Sequence, residues 1–592
     1  MAELVSQPTS VQSVYSWYRE DKLYVNRRYQ RKLVWTLEEK QKLIESILRK
    51  YPIPAILVAE KEDKPGTYEI IDGLQRLHAI LSFIETAFPT LDNRHFALEY
   101  FPTAKGRADE GAFVPTAGVA YLMPREVSTI LDYSLALSVM RNSTEAEVND
   151  VFDRINTYGH RLSDQERRQA GVQDVFSTMV REISCALRGD VSLTVLLLYQ
   201  MPSISVDLPM SRHGYQVHAD EVFWVNQGIL RSTDLRDSMD EQCIADIAAC
   251  IVGGQLIERS KDALDEIYSA GSAESERILA ALDVYGSHKF CDELKFCVDE
   301  LLKVCADGHK DKLRDIVFTK RTTNPFPSVF ANVIIAFHEI TIKEGRVISD
   351  YAAVKKGLSG LSERIGTGQK ATAVEERRKN INTIKGLVGT GFVSISRDKL
   401  QPKVYANHTA IDIESIIRRS EIELGGYELK QGLCKLEKGG KLDPGIIEKI
   451  VKTICAIANN GPVSYGKLLV GVTDKDADAE RAREVDKVDP MKVGKRFVVG
   501  VNREAKRLGL SVDKYITILK DGVRKSKLSS HVRDAVLSNM KFNAFYGLGV
   551  IVVEIPAQKE LSYVGDEVYW RNGDSTELAT TPKRIAELAK RF

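Results

Sequence analysis

Two apolar residues run into Asp-Gly, and apolar residues then recur at three- and four-residue spacing; this stretch constrains the chain more than any other. It reads Tyr68-Glu69-Ile70-Ile71-Asp72-Gly73-Leu74-Gln75-Arg76-Leu77-His78-Ala79-Ile80, with Leu81 and Phe83 continuing the spacing. The pattern predicts strand, tight turn and helix. Gly73 permits a backbone angle that a side chain would oppose. Asp72, Gln75 and Arg76 then stand at the start of the helix, where free backbone N–H groups and the helix dipole favour an anion. A carboxylate, an amide and a guanidinium at such an end suit a phosphate with its metal ion or water. A capped helix with Arg76 in a structural ion pair accounts for the same residues, and this stretch alone leaves both readings open.

The flanking text narrows the choice. Upstream lie Tyr29-Gln30-Arg31-Lys32-Leu33-Val34-Trp35, a helical pattern over Glu38–Lys50, and Tyr51-Pro52-Ile53-Pro54 leading into a strand, Ala55–Val58. Downstream lie Val151-Phe152-Asp153-Arg154-Ile155-Asn156-Thr157-Tyr158-Gly159 and Arg161-Leu162-Ser163-Asp164-Gln165-Glu166-Arg167. Over roughly residues 10–170 these motifs resemble the N-terminal ParB/sulfiredoxin-like domain of GmrSD-type restriction proteins and their phage-defence relatives. The resemblance implies a domain that binds, and in active members hydrolyses, a nucleoside triphosphate (NTP) in order to sense or cut foreign DNA. It places Tyr29, Gln30, Arg31, Asp72, Gly73, Gln75, Arg76 and Asn156 around the nucleotide. Asp72 would hold a metal ion or orient water, and Gln75 and Arg76 would hold phosphate. The family signature is Asp-Gly-Gln-Gln-Arg; Leu74 stands at its third position here, which bears on hydrolysis more than on binding.

With 592 residues the chain is long enough for three or four domains. A net charge of +1 gives no global signature of a nucleic-acid binder, so any such surface must be local, as at Arg27-Arg28 with Arg31-Lys32. The N-terminus shows no basic segment followed by an apolar core, and no window is apolar for long enough to span a bilayer. The eight cysteines form no Cys-x-x-Cys pair and read as reduced core thiols, with no zinc site. A cytoplasmic protein is expected, without a membrane partner; a homo-oligomer is compatible with the sequence.

The expected architecture is multidomain α+β. Residues 1–170 form an α/β unit, with Thr90–Val114 as a loop. Residues 171–392 form a helical domain in which Asp220–Leu230, Met239–Gln255, Glu274–Asp283, Lys289–Ala306 and Val329–Glu344 show helical spacing and no visible chemistry. Residues 393–410 read as a polar linker, and 411–592 as a new α+β unit.

In this last unit, Glu421-Ile422-Glu423-Leu424-Gly425-Gly426-Tyr427-Glu428-Leu429-Lys430 precedes an amphipathic helix, Ile446–Asn459. A strand, Leu468–Val472, then ends in Thr473-Asp474-Lys475-Asp476. Glu428 and Lys430, two apart on a strand, share one face. Carboxylates converging near a lysine could hold a divalent cation and orient water against a phosphodiester; an edge-strand ion pair with Asp474 capping a turn is the plainer alternative. Later come a strand, Gly549–Ile555, and the segment Tyr569-Trp570-Arg571-Asn572-Gly573-Asp574-Ser575-Thr576.

This order of elements resembles the Schlafen-type AlbA domain, on Glu428-Leu429-Lys430, Ala456-Ile457-Ala458-Asn459, Leu469–Asp474 and Tyr569–Thr576. The resemblance implies nucleic-acid binding; Lys430 and Arg571 in its motifs, with Lys495, Arg496 and Arg503 of the basic neighbourhood below, are the candidate contacts, and DNA is the expected nucleic acid. Some Schlafen members cut RNA with a Glu-x4-Glu pair and a downstream aspartate; Glu423 and Glu428 have that spacing, and Asp474, or Asp476, falls about where the third acid would, as Mg²⁺ or Mn²⁺ ligands and catalytic groups. The family's Gly-Gly is replaced by Asn460-Gly461-Pro462-Val463-Ser464-Tyr465-Gly466, and 478–498 is a charged insertion. Lys492, Lys495, Arg496, Arg503, Lys506 and Arg507 make the densest basic neighbourhood, extended by Lys520, Arg524, Lys525 and Lys527; contact with a phosphate backbone and a solvated helix face both account for it.

GmrSD-type proteins usually carry a His-Asn-His nuclease, but His309, His338, His408 and His531 are scattered. Two functions are therefore expected as alternatives. One is a prokaryotic anti-phage effector with an NTPase-type sensor and a metal-dependent nuclease; the other is a non-catalytic DNA-binding regulator.

Overall fold

The strand–turn–helix expected at 68–83 is present, at the centre of a mixed sheet. The computed structural model describes residues 3–27, 33–109, 113, 115–158, 163–171, 174–190, 195–198, 201, 219–367, 369–406, 408–421, 424–462, 464–573 and 575–592. The chain divides into two compact units. The first comprises Met1–Cys291, His309–Lys343 and Ser349–Phe392; the second comprises Asp292–Gly308, Glu344–Ile348 and Val393–Phe592. The helical middle of the chain thus belongs largely to the same unit as the N-terminal sheet.

The first unit begins with β1 (Glu3–Ser10), α1 (Val11–Arg19), β2 (Leu23–Asn26), α2 (Leu37–Leu48), β3 (Ile56–Glu60), β4 (Tyr68–Asp72) and α3 (Leu74–Ile84). Then come β5 (Arg94–His95), α4 (Pro102–Asp109), β6 (Ala120–Tyr121), α5 (Pro124–Leu131), β7 (Ser134–Arg141), α6 (Glu145–Tyr158), α7 (Asp164–Gly171), α8 (Val175–Arg188) and β8 (Val195–Leu197). Six strands form one sheet in the order β1-β7-β3-β4-β2-β8. β2 runs parallel to β4, so both strands leave the sheet at the same end. The period-two alternation decides what covers each face. Ile70 points to a core shared with α1, α2, α3 and α5, whereas Ile71 meets Val148 and Phe152 of α6 on the opposite face.

Thr90–Val114 is not a plain loop. Its polar composition hides Phe96, Phe101 and Ala104, all buried in the main core, and Phe101 packs edge-on to Tyr15 at 5.2 Å. β5 pairs with β6, and α4 forms between them.

Farther on, the expected helices form at Met239–Val252, Ala273–Tyr285 and Pro327–His338. Arg188, fully buried, is held by Asp240 at 3.1 Å and Glu241 at 2.8 Å. Arg377 is paired in the same way with Asp246 at 2.8 Å. Breaking such a pair from one side strands a buried charge and costs about 3–5 kcal/mol.

The second unit replaces the expected linker with structure: a helix at Arg397–Gln401 runs into a π-helical turn at Pro402–Ala406. Leu400 and Val404, four residues apart, are both buried and form the apolar stripe that the polar neighbours mask. The unit continues with α9 (Ala410–Arg419), β9 (Tyr427–Lys430), α10 (Ile446–Ala458), β10 (Gly466–Val470) and β11 (Val472–Thr473). α11 (Asp476–Asp486), β12 (Met491–Val493), β13 (Arg496–Val498), α12 (Asn502–Arg507) and α13 (Val512–Arg524) follow, then β14 (Met540–Phe545), β15 (Leu548–Ile555), β16 (Tyr569–Asn572) and β17 (Ser575–Leu578).

The main sheet has the order β9-β10-β15-β14, which puts β9 at an edge. α10 and α13 cover one face and α9 the other. The strand expected at 468–472 breaks at Gly471, whose φ is +103° and where an added methyl group would stand 2.8 Å from the Gly549 carbonyl oxygen. Beyond it the chain enters a second small sheet, β11-β13-β12. The charged insertion at 478–498 is therefore folded, as most of α11 and the β12–β13 hairpin.

Candidate functional site

Asp72 ends β4 and α3 begins two residues later. Gly73 between them has φ +95°, and a methyl group there would stand 2.9 Å from Ile56 Cγ1. Among the described residues no side chain caps the N-terminus of α3. Arg76 Nη2 donates to Asp72 Oδ2 at 2.7 Å; the Arg76 side chain is 12% exposed and that of Asp72 is 40% exposed. The plainer reading, an ion pair one helical turn apart, thus describes the ground state. Among the described residues Arg76 bonds to Asp72 alone, so its remaining N–H donors stay available.

Gln75 has a different task from the one expected. Its amide oxygen accepts the backbone N–H groups of Val34 at 3.0 Å and Trp35 at 3.3 Å, pinning the segment that leads into α2. Leu74 is 1% exposed and packs in the main core, so the third motif position points away from solvent. Tyr29, Gln30 and Arg31 lie outside the described residues. Asn156 falls within α6, with its side chain likewise outside the description.

Two contacts fix the β2 end of this corner. Asn26 Nδ2 donates to Glu69 at 3.1 Å, and buried Arg27 binds Asp190 in a two-pronged pair, one prong at 2.7 Å. Sequence reading missed Asp190; no local signal ties it to a residue 163 positions away.

In the second unit Glu428 and Lys430 pair on the edge strand, as the plainer reading expects. Arg571 Nη1 donates to the other Glu428 oxygen at 2.9 Å and to Thr576 Oγ1 at 3.0 Å, and Arg571 Nη2 donates to the Tyr427 carbonyl at 3.0 Å. Thr576 in turn meets Thr453 of α10 at 3.2 Å. The motif residues Glu428, Lys430 and Arg571 are therefore brought together, with Arg571 buried.

Asp474 is half-exposed and faces Arg496 at 3.4 Å. Glu423 lies outside the described residues. Both Glu428 oxygens are taken by cations, and no group of three potential ligands forms among the described residues.

The basic neighbourhood divides by helix face. Arg503, expected at nucleic acid, is buried and holds Asp486 at 2.6 Å, Glu504 at 3.0 Å and the Gln431 carbonyl at 2.8 Å. Arg507 lies against Asp486 at 3.1 Å. Residues 503, 504 and 507 share the inward side of α12, so these arginines hold the fold together. Lys492, Lys495 and Lys506 remain exposed.

Buried Glu504 accepts from Leu433 N at 2.8 Å, Cys434 N at 3.0 Å and Tyr515 Oη at 2.6 Å, which ties down the loop leaving β9. Burial, with this carboxylate beside it, pushes the Tyr515 phenol far above its ordinary range. Nothing in Asn502–Arg507 distinguishes Glu504 from a surface acid.

The geometry defines a two-module protein, each module carrying a charged motif at a strand on its own sheet. Residues 12–172 match the family model of the GmrSD restriction endonuclease N-terminal domain, and residues 426–580 match that of Schlafen, AlbA_2. The chain is a fusion of regions similar to these two families, a pairing that points to phage defence and nucleic-acid handling. Neither the curated proteins nor the solved structures return a match. No helix among the described residues is long and apolar enough to cross a membrane.

Proposed function

We propose that this chain is a phage-defence protein whose first module binds a nucleotide and whose second binds nucleic acid, DNA in particular. The observation that carries the nucleotide reading is the uncapped start of α3 beside Arg76, which keeps donors beyond its bond to Asp72. It stands where β2 and β4 both leave the sheet, the edge at which α/β folds place ligands. Arg76 would take a phosphate, and Asp72 would release it and orient water or a metal ion. Exposed Lys492, Lys495 and Lys506 supply backbone contacts to nucleic acid.

NTP binding and hydrolysis with Mg²⁺, with and without phage DNA, test this reading in the wild type, Asp72→Ala and Arg76→Ala. Arg76→Ala should weaken binding about tenfold or more, the worth of one charge-assisted contact. Unchanged binding in both variants would refute it.

For the second module, the double pairing of Glu428 favours a binding role over a nuclease. A chelator distinguishes the two. A nuclease loses product formation, whereas a binding module keeps its affinity and responds to salt.

A further inference from the structure

A groove of about 570 Å³ in the second unit is walled by α10, the end of α13 and the turn at 564–567. Ile447, Val451 and Val564 contribute apolar lining. One wall carries Lys525 and Lys527, both exposed and, among the described residues, without a paired carboxylate. Across it Lys452 is paired with Glu448 at 2.6 Å and lies 5.4 Å from the centre of the Tyr569 ring. Asp566 and Glu567 also line the groove. The wall is tied down: Gly565 N donates to the Lys527 carbonyl at 2.8 Å, and Leu528 bridges to Val564.

These features select a ligand class. The volume falls in the range of small-molecule sites. The apolar lining suits a flat ring, the uncommitted ammonium groups suit one phosphate, and the carboxylates suit ring N–H or sugar hydroxyl groups. The same carboxylates would repel the successive phosphates of a continuous strand. We infer that this groove binds a nucleoside bearing a terminal phosphate, supplied free or as the phosphorylated end of a strand. Thr453, beside Lys452, touches Thr576 and so adjoins the Arg571–Glu428 pair; the ligand would sit next to the module's motif residues.

The test uses the full chain with Asp72→Ala and Arg76→Ala, so that the nucleotide site proposed on α3 cannot contribute. Fluorescence anisotropy compares a short labelled strand carrying a 5′-phosphate with its 5′-hydroxyl form, with adenosine and guanosine monophosphates as competitors. The phosphorylated end should bind about tenfold tighter, and Lys525→Glu with Lys527→Glu should abolish that preference. Lys438→Glu, an exposed change outside the groove, should leave it intact. Competition by the monophosphates assigns the groove to free nucleotide; a phosphate preference without competition assigns it to strand ends. Equal binding of both strands with no competition overturns the inference, as does a preference that survives the double lysine change.

Discussion

Glu85 closes the far end of α3, and its protonation should be written into the stability of the first unit. The residue is 4% exposed; Tyr15 Oη donates to it at 3.2 Å and Arg107 Nε stands 3.3 Å away. Burial raises its carboxyl from the ordinary 4.5 to about 7, against the opposing pull of Arg107 and the tyrosines. A carboxylate at a helix C-terminus also opposes the helix dipole. Because the folded value lies above the unfolded one, the native state holds the proton more tightly. The resulting stability is fully present below about pH 4.5, is lost as pH rises towards 7, and is flat beyond. At about 1.36 kcal/mol per pH unit, the interval is worth roughly 3 kcal/mol. Glu85→Gln keeps the shape and removes the titration. Urea unfolding of the first unit in wild type and variant, repeated from pH 4.5 to 8, isolates the term. The variant should gain about 3 kcal/mol relative to wild type across that interval. A flat difference curve, or one of opposite slope, would show that Arg107 keeps Glu85 ionised throughout.

Gly73→Ala should cost about 1–3 kcal/mol, because the residue holds φ +95° and the new methyl meets Ile56; a thermal-unfolding midpoint equal to wild type would contradict the turn geometry. Glu504→Ala should destabilise the second unit by about 3–5 kcal/mol, because it removes the buried acceptor of two loop N–H groups and of the Tyr515 hydroxyl and leaves Arg503 with Asp486 as its carboxylate partner. Hydrogen exchange at Leu433 and Cys434 should accelerate with it, and Glu504→Gln should fall between. Lys492→Ala with Lys495→Ala should lower the salt-dependence slope of duplex DNA binding by about two; an unchanged slope would place the DNA elsewhere.

What was legible in the sequence was local. The β4–Gly73–α3 unit follows from two-residue and then three- and four-residue spacing around one glycine, and α10 and β15 follow in the same way. The apolar residues of 90–114 and 397–404 were on view too, but their polar neighbours outweighed them in a composition-based reading. Long-range pairing left no trace. Arg27 and Asp190, or Glu504 and the loop after β9, become partners only when the sheets assemble, and isolated charges in a sequence look alike whether buried or wet. The same blindness put Arg503 and Arg571 on a surface, although each is enclosed by acceptors.

The Asp-Gly-Leu-Gln-Arg motif shows how the fold divides one stretch among separate tasks. Gly73 admits the turn, and Leu74, turned inward, adds about 2 kcal/mol of apolar burial to the core. Gln75 fixes the segment entering α2. Asp72 and Arg76 remain, paired with each other at the strand end, with Asp72 the more exposed of the two. A glutamine at position 74 would face the same core, where its amide would need partners that Leu77, Ile80 and their neighbours do not offer. The departure from Asp-Gly-Gln-Gln-Arg therefore bears on packing in this chain, and its capacity for phosphate chemistry rests on whether Asp72 releases Arg76 when a ligand arrives.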